Sequence, residues 1–159
     1  MKRVLAAAVL ALAACSPAAQ KAPEAPLAPE AAAPAAVATL GALAIDSAIV
    51  RPPVEGQTTG AGFLAVRNGG EADRLVAAFS PATSSIELHT HRHVDGMMRM
   101  EKVDAVDIPA GGAVVFEPGG LHLMMFGLAP TGDVIPVTLK FEKGGDVTVP
   151  FKVMARSAG

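Results

Sequence analysis

Short apolar runs that alternate with polar positions fill the chain from about residue 41 onward, and this pattern most limits its possible folds. Runs such as LAIDSAIV and AGFLAVR alternate with a period of two, which is typical of strands with one buried face. No run of useful length has the 3.6-residue period of a helix. Strands are predicted at 43–50, 61–67, 74–79, 84–91, 97–103, 113–116, 121–127, 134–142 and 146–153.

Turn-forming residues separate these runs, as in NGG at 68–70, DG at 95–96 and PGG at 118–120. Several short strands at such spacing predict an antiparallel β-sandwich or barrel. Pro136 and Pro150 fall inside strand patterns. Because proline cannot donate a ladder hydrogen bond, their two strands are predicted to be edges or to begin late.

The N-terminal segment has the composition of a targeting sequence. In residues 1–15, the basic residues Lys2 and Arg3 follow Met1 and precede an apolar run that is too short to span a bilayer. The segment ends in LAAC at Cys15. This ending resembles a bacterial lipobox, in which the cysteine is lipidated and starts the mature protein. An ordinary signal peptide with an incidental Cys15 is the alternative. The lipobox interpretation predicts a periplasmic protein anchored to a membrane by lipid on Cys15.

Residues 16–41 are rich in proline and alanine, which favours an extended linker over a helix. The folded domain is therefore predicted to span 42–155. The formal net charge is −2 and there is no run of Lys or Arg, so nothing indicates a nucleic-acid partner.

The segment 89–125 concentrates the metal-binding side chains of the chain. It contains all four histidines and five of the seven methionines. Imidazole nitrogen combined with thioether sulfur is suited to Cu(I). The only cysteine is Cys15, so the predicted domain offers no thiolate to a metal. A blue-copper electron-transfer site, which requires a Cys ligand, is thereby disfavoured.

Strand alternation predicts which of these side chains lie together. His122 and Met124 share one face of their strand, while Leu121, Leu123 and Met125 take the other.

In the preceding predicted hairpin, Glu87, His89 and His91 share a face, as do Met98 and Met100 across the 95–96 turn. Such a hairpin could bring His89 near Met100.

The spacing of four residues resembles a known copper motif. His89, Met100, His122 and Met124 follow the pattern His-x10-Met-x21-His-x-Met of the PCu(A)C periplasmic copper chaperones. AVRNG at 65–69, IELHT at 86–90 and PGGLHLM at 118–124 also look like that family, and the resemblance covers about residues 42–153.

This resemblance implies a fold and a function. The fold would be an all-β, cupredoxin-like antiparallel Greek-key β-sandwich, and the ligands of one Cu(I) would be His89, Met100, His122 and Met124. The family is implicated in delivering copper to the binuclear centre of cytochrome c oxidase, which implies oxidase subunit II as acceptor and a thiol-bearing copper chaperone as a further partner. A periplasmic storage or tolerance protein that buffers Cu(I) and Cu(II) would use the same ligands and is the alternative.

The chain departs from the family pattern after the first histidine. Relatives often carry Met two residues later, where this chain has His91, followed by His93. Alternate histidines could bind Cu(II), with Asp95 as a further ligand, or they could form a solvated strand end.

The sequence lacks a Ser nucleophile elbow, a His-Glu-x-x-His segment and a Gly-rich phosphate loop. A binding protein is predicted rather than an enzyme.

Overall fold

The computed structural model describes residues 36–94, 96–129 and 132–154, and these form an all-β domain. Its strands are β1 (Ala38–Leu40), β2 (Leu43–Arg51), β3 (Gly60–Asn68), β4 (Asp73–Phe79), β5 (Ser85–Val94), β6 (Met97–Lys102), β7 (Val106–Ile108), β8 (Ala113–Phe116), β9 (His122–Phe126), β10 (Val134–Phe141) and β11 (Gly145–Val153). Within these residues there is no helix of the length and hydropathy needed to cross a membrane.

The strands pair in the order β6-β5-β9-β3-β2-β11-β10-β4-β7, with β1 paired to β2 and β8 to β3. The chain thus leaves β3 for a distant strand, β4, returns to β3 at β8, and then places β9 between β5 and β3. Apolar side chains from both halves of this order form one buried cluster, including Ile45, Val66, Leu75, Leu123 and Val149. The paired strands therefore enclose a single core, as in the predicted cupredoxin-like sandwich.

Alternation of apolar residues located the long strands correctly, but two short strands were not predicted. β1 lies within the last residues of the predicted linker, and β7 is a three-residue segment between Ala105 and Pro109. The predicted antiparallel arrangement also has one exception, because β11 pairs with β2 in parallel. Residues 1–15 with Cys15, most of the predicted linker, and Asp95 lie outside the described residues.

The prediction that the strands of Pro136 and Pro150 are edges or begin late is wrong, because both strands begin before their proline, at Val134 and Gly145, and neither is an edge. The two prolines lie opposite each other in the β10–β11 pair, and both strands have a second neighbour. The pairing of β10 with β4 begins only at Thr138, and that of β11 with β2 only at Lys152. Each proline therefore lies beyond the second ladder, where no strand requires its missing N–H.

Three strands create the surface on which the predicted ligands lie. β9 is held between β3 and β5, and β6 pairs with the outer side of β5. Leu123 and Met125 of β9 point into the core and are fully buried. His122 and Met124 alternate with them and so occupy the opposite face of β9, as predicted.

Candidate metal centre

The four predicted ligands lie on one face of β5, β6 and β9. His89 is directly opposite His122 across the β5–β9 pair, and their ring centroids are 5.9 Å apart. Met124 is opposite Glu87, which makes it a diagonal neighbour of His89. Met100 is opposite His91 in the hairpin and is diagonal to His89 on the other side. Diagonal neighbours lie about 7–8 Å apart, within reach of long side chains.

His122 is a buried imidazole whose protonation is set by its surroundings. Its side chain is 6% exposed, and its Nδ1 lies 3.1 Å from the carbonyl oxygen of Gly120. Burial lowers the pKa of His122 below 6.5; the Gly120 carbonyl opposes this shift, and His91 and His89 add to it. Because a carbonyl only accepts hydrogen bonds, Nδ1 carries the proton of the neutral ring. The Nε2 lone pair is then available to a metal.

His89 is also largely buried, and a carboxylate determines which of its nitrogens carries the proton. Its side chain is 13% exposed, and Nε2 lies 2.9 Å from Oε2 of Glu87. An ionised carboxylate only accepts hydrogen bonds, so Nε2 is the donor. Nδ1 is buried and has no hydrogen-bond partner among the described residues. Since unpartnered buried polar atoms are rare, this lone pair is a candidate metal ligand.

Glu87 connects His89 to a lysine on the next strand. Its Oε1 accepts a hydrogen bond of 2.8 Å from Nζ of Lys102, which lies directly opposite His89. The hydrogen bond from Lys102, with that from His89, lowers the pKa of Glu87, and the same carboxylate raises the pKa of Lys102. The carboxylate beside His89 is therefore ionised at neutral pH, with its charge balanced by an ammonium group.

The two methionines differ in exposure. Met124 is half-buried on β9, whereas Met100 is 48% exposed on β6, whose residues are all exposed. A thioether that only filled the core would be buried, as Met125 is. The exposure of Met100 is consistent with a ligand that an incoming protein can reach.

His91 and His93 follow His89 on the same face of β5, but their two side chains have different environments. The ring of His91 stacks on that of His122, with centroids 5.1 Å apart and planes at 27°. His93 is exposed and lies opposite Met98. Among residues 36–94, 96–129 and 132–154, no group of three His, Cys, Asp or Glu side chains is placed to hold a metal ion.

Glu87 and Lys102 were not recognised as parts of the site from the sequence. The alternation of β5 does place Glu87 on the face of His89. The two-residue turn at 95–96 also fixes Lys102 opposite His89, so this signal was present. The sequence could not give the side-chain rotamers that connect Lys102, Glu87 and His89 by hydrogen bonds.

Comparison with known proteins identifies the relatives of this domain. Residues 43–153 match the family model described as "Putative lipoprotein LpqE-like". A relative from Leifsonia xyli subsp. xyli, likewise named as a lipoprotein, is 37% identical over 115 residues, which cover 68% of each chain.

Solved PCuAC domains share the fold. The apo PCuAC domain of PmoF2 is 30% identical, with a TM-score of 0.63, over 76% of this chain and 95% of that one. Its copper-bound form gives 28% identity and the same TM-score, over 75% and 97%. The Cu(I) form of DR1885 from Deinococcus radiodurans is 28% identical, with a TM-score of 0.56, over 69% of this chain and 75% of that one.

Proposed function

The chain belongs to the LpqE-like family and has the fold of PCuAC domains, and on this premise we propose that it is a carrier of copper ions. The ion is cargo, held as Cu(I) by His89, Met100, His122 and Met124. The observation that carries the proposal is the pair of facing imidazoles, His89 and His122, whose unprotonated nitrogens are Nδ1 and Nε2. Two neutral nitrogens with two thioethers suit Cu(I) without adding charge to the site. Copper-bound forms of two relatives support this assignment.

Delivery requires release, and the ligand set suits it. Imidazole and thioether ligands hold Cu(I) less strongly than thiolates, and Met100 is exposed on an outer strand. We infer a periplasmic copper chaperone, not an enzyme, that donates Cu(I) to the binuclear centre of cytochrome c oxidase subunit II, with a thiol-bearing chaperone as a further partner. The lipoprotein names of the relatives support anchoring through Cys15.

The experiment is a titration followed by a transfer assay. The purified protein should bind one Cu(I) in competition with a chromophoric Cu(I) chelator, and excess Zn(II) should not displace it. The loaded protein is then mixed with the apo copper domain of oxidase subunit II, the two are separated, and copper is measured in each. Displacement of stoichiometric Cu(I) by Zn(II) would refute the proposed metal preference.

A storage or tolerance protein is the second candidate, and the additional histidines His91 and His93 favour it. Such a protein would retain copper in the presence of the apo oxidase domain. Its deletion would increase the copper sensitivity of cells rather than reduce oxidase assembly at low copper. The transfer assay and this phenotype together distinguish the two functions.

A further inference from the structure

The hydrogen bonds around His89 give its two ring nitrogens different roles. Nε2 lies 2.9 Å from Oε2 of Glu87, whereas Nδ1 is buried and has no partner among the described residues. If the ring were turned over about the Cβ–Cγ bond, Cε1 would take the place of Nε2 beside the carboxylate, and Nε2 would lose its acceptor. The carboxylate therefore selects both the orientation and the tautomer of the ring.

Glu87 is itself held in place from the neighbouring strand. Lys102 lies directly across from His89 and reaches past it to Oε1 of Glu87 at 2.8 Å. Each carboxylate oxygen thus has one hydrogen-bond donor: Oε1 accepts from Lys102 on β6, and Oε2 accepts from His89 on β5. Without Lys102, the glutamate would keep only its hydrogen bond to His89 and could turn toward solvent.

Charge balance gives Lys102 a second role. A carboxylate alone beside His89 would leave negative charge next to the candidate ligands. The ammonium group of Lys102 compensates that charge at 2.8 Å. The neighbourhood of His89 therefore has no net charge from this pair, while the hydrogen bond from Nε2 still increases the basicity of Nδ1.

We propose that Glu87 and Lys102 are positioning residues that hold His89 so that Nδ1, and not Nε2, binds the metal. The inference rests on the proposed copper site and adds which nitrogen acts and what selects it. Carboxylate partners of metal-binding histidines commonly change metal affinity about 10–100-fold when they are removed.

The first test needs no metal. In nitrogen-15 spectra of the apo protein above neutral pH, His89 should show a proton on Nε2 that exchanges slowly with solvent, and an unprotonated Nδ1. Glu87→Leu should abolish this slow exchange. Glu87→Gln should preserve it, because the amide oxygen still accepts from Nε2.

The second test measures Cu(I). On addition of Cu(I), the Nδ1 resonance of His89 should move while Nε2 keeps its proton. The affinity should fall about 10–100-fold in Glu87→Leu. In Glu87→Gln and Lys102→Met the loss should be smaller but measurable, about two- to fivefold, as expected for a weakened exposed ion pair.

One matched control lies in the β5–β6 hairpin itself, and the other lies in the distant β10–β11 hairpin. Glu101 pairs with Arg92 and lies opposite Thr90, on the other face of β5 and β6, so Glu101→Leu removes an equal charge without touching His89. Lys140 pairs with Asp146 between β10 and β11, and Lys140→Met is the control for Lys102→Met. Both controls should leave His89 resonances and Cu(I) affinity unchanged.

Three results would overturn the inference: a proton on Nδ1 in the apo protein, Cu(I) on Nε2, or unchanged affinity in a folded Glu87→Leu. If Glu87→Leu does not fold, the wild-type spectra decide which nitrogen binds. In that case, a Cu(I) affinity of Lys102→Met no lower than that of Lys140→Met would reject the positioning role. Absence of Cu(I) binding by the wild type would instead refute the proposed function, and it would leave the apo result on His89 intact.

Discussion

At the scale of single residues, the proposed copper site combines two rigid imidazoles with two adaptable thioethers. His122 is held by the carbonyl of Gly120 and His89 by Glu87, so neither ring needs to reorient before it binds an ion. Met100 and Met124 are unbranched and can adjust to the ion from either side of His89. Rigid nitrogens would define the position of the ion, and flexible sulfurs would complete its coordination.

Replacing both thioethers tests their role without emptying space in the fold. Leucine approximately conserves the volume of methionine but has no sulfur, so Met100→Leu with Met124→Leu should keep the melting temperature and weaken Cu(I) binding at least about tenfold. Chelator competition and thermal unfolding measure the two quantities. Met97→Leu with Met154→Leu is the matched control, since both side chains are exposed and outside the proposed site. Equal affinities in the two double variants would contradict the assignment of sulfur ligands.

His91 and His93 allow a separate prediction about Cu(II). His91 stacks on His122, so a Cu(II) ion that uses it would compete with the Cu(I) site rather than occupy an independent one. We expect weak Cu(II) binding with a nitrogen-rich paramagnetic resonance signal. That signal should disappear in a His91→Ala/His93→Ala double variant, which retains Cu(I) binding. If the signal is the same in both proteins, these histidines are only a solvated end of the β5–β6 hairpin.

At the scale of strands, alternation and turn chemistry explain most of what could be predicted. The DG turn at 95–96 fixes the register of β5 and β6, and this register places Met100 opposite His91 and diagonal to His89. The three-residue β7 is too short to show a period of two. β1 is equally short and continues a Pro/Ala-rich segment, so no change in composition marks its start. The parallel pairing of β11 with β2 joins segments about 100 residues apart, and no local pattern indicates it.

One acidic side chain stabilises the connection between β10 and β11. Asp73 is buried at the start of β4, and its carboxylate accepts hydrogen bonds from the backbone amides of Lys143, Gly144 and Arg74 at 2.7–2.9 Å. Burial alone would raise the pKa of Asp73, but these hydrogen bonds outweigh it and lower the pKa below 3.8.

Asp73→Asn should therefore destabilise the domain, because the amide nitrogen would face backbone donors. We expect a loss of about 1–3 kcal/mol at pH 7, measured by urea unfolding. A depressed carboxyl pKa contributes stability above the unfolded value of 3.8 and loses it as the pH falls through the folded pKa. The difference between wild type and variant should thus shrink below about pH 4. The exposed Asp133→Asn is the control, and an equal loss there would reject the explanation.

At the scale of the whole molecule, the proposed carrier consists of a β domain preceded by a predicted Pro/Ala linker and a lipid anchor. The family model spans 43–153, so the leader lies outside the matched region. Anchoring would confine the domain to a membrane surface, where a membrane-bound oxidase is also located. Confinement raises the effective concentration of one partner near the other.

Cys15→Ala tests the anchor. Without the thiol, no lipid can be attached, and the protein should move from the membrane fraction to the soluble fraction or remain as an unprocessed precursor. Metabolic labelling with a fatty acid, followed by fractionation and immunoblotting, measures both outcomes. The control is Ser16→Ala, which leaves the cysteine in place. A labelled, membrane-bound Cys15→Ala protein would contradict lipidation at this residue.

The position of β6 at the outer end of the strand order has a consequence for the stability of the bound state. His89, His122 and Met124 lie on β5 and β9, each of which has two neighbours, whereas β6 pairs only with β5 in the described sheet. Strands with one neighbour and little buried area fray at a lower free energy than interior strands. Amide hydrogens of β6 should therefore exchange with solvent much faster than those of β9. Each fraying event would carry Met100 away from a bound ion, while the other three proposed ligands would stay on interior strands, which unfold only when the core does.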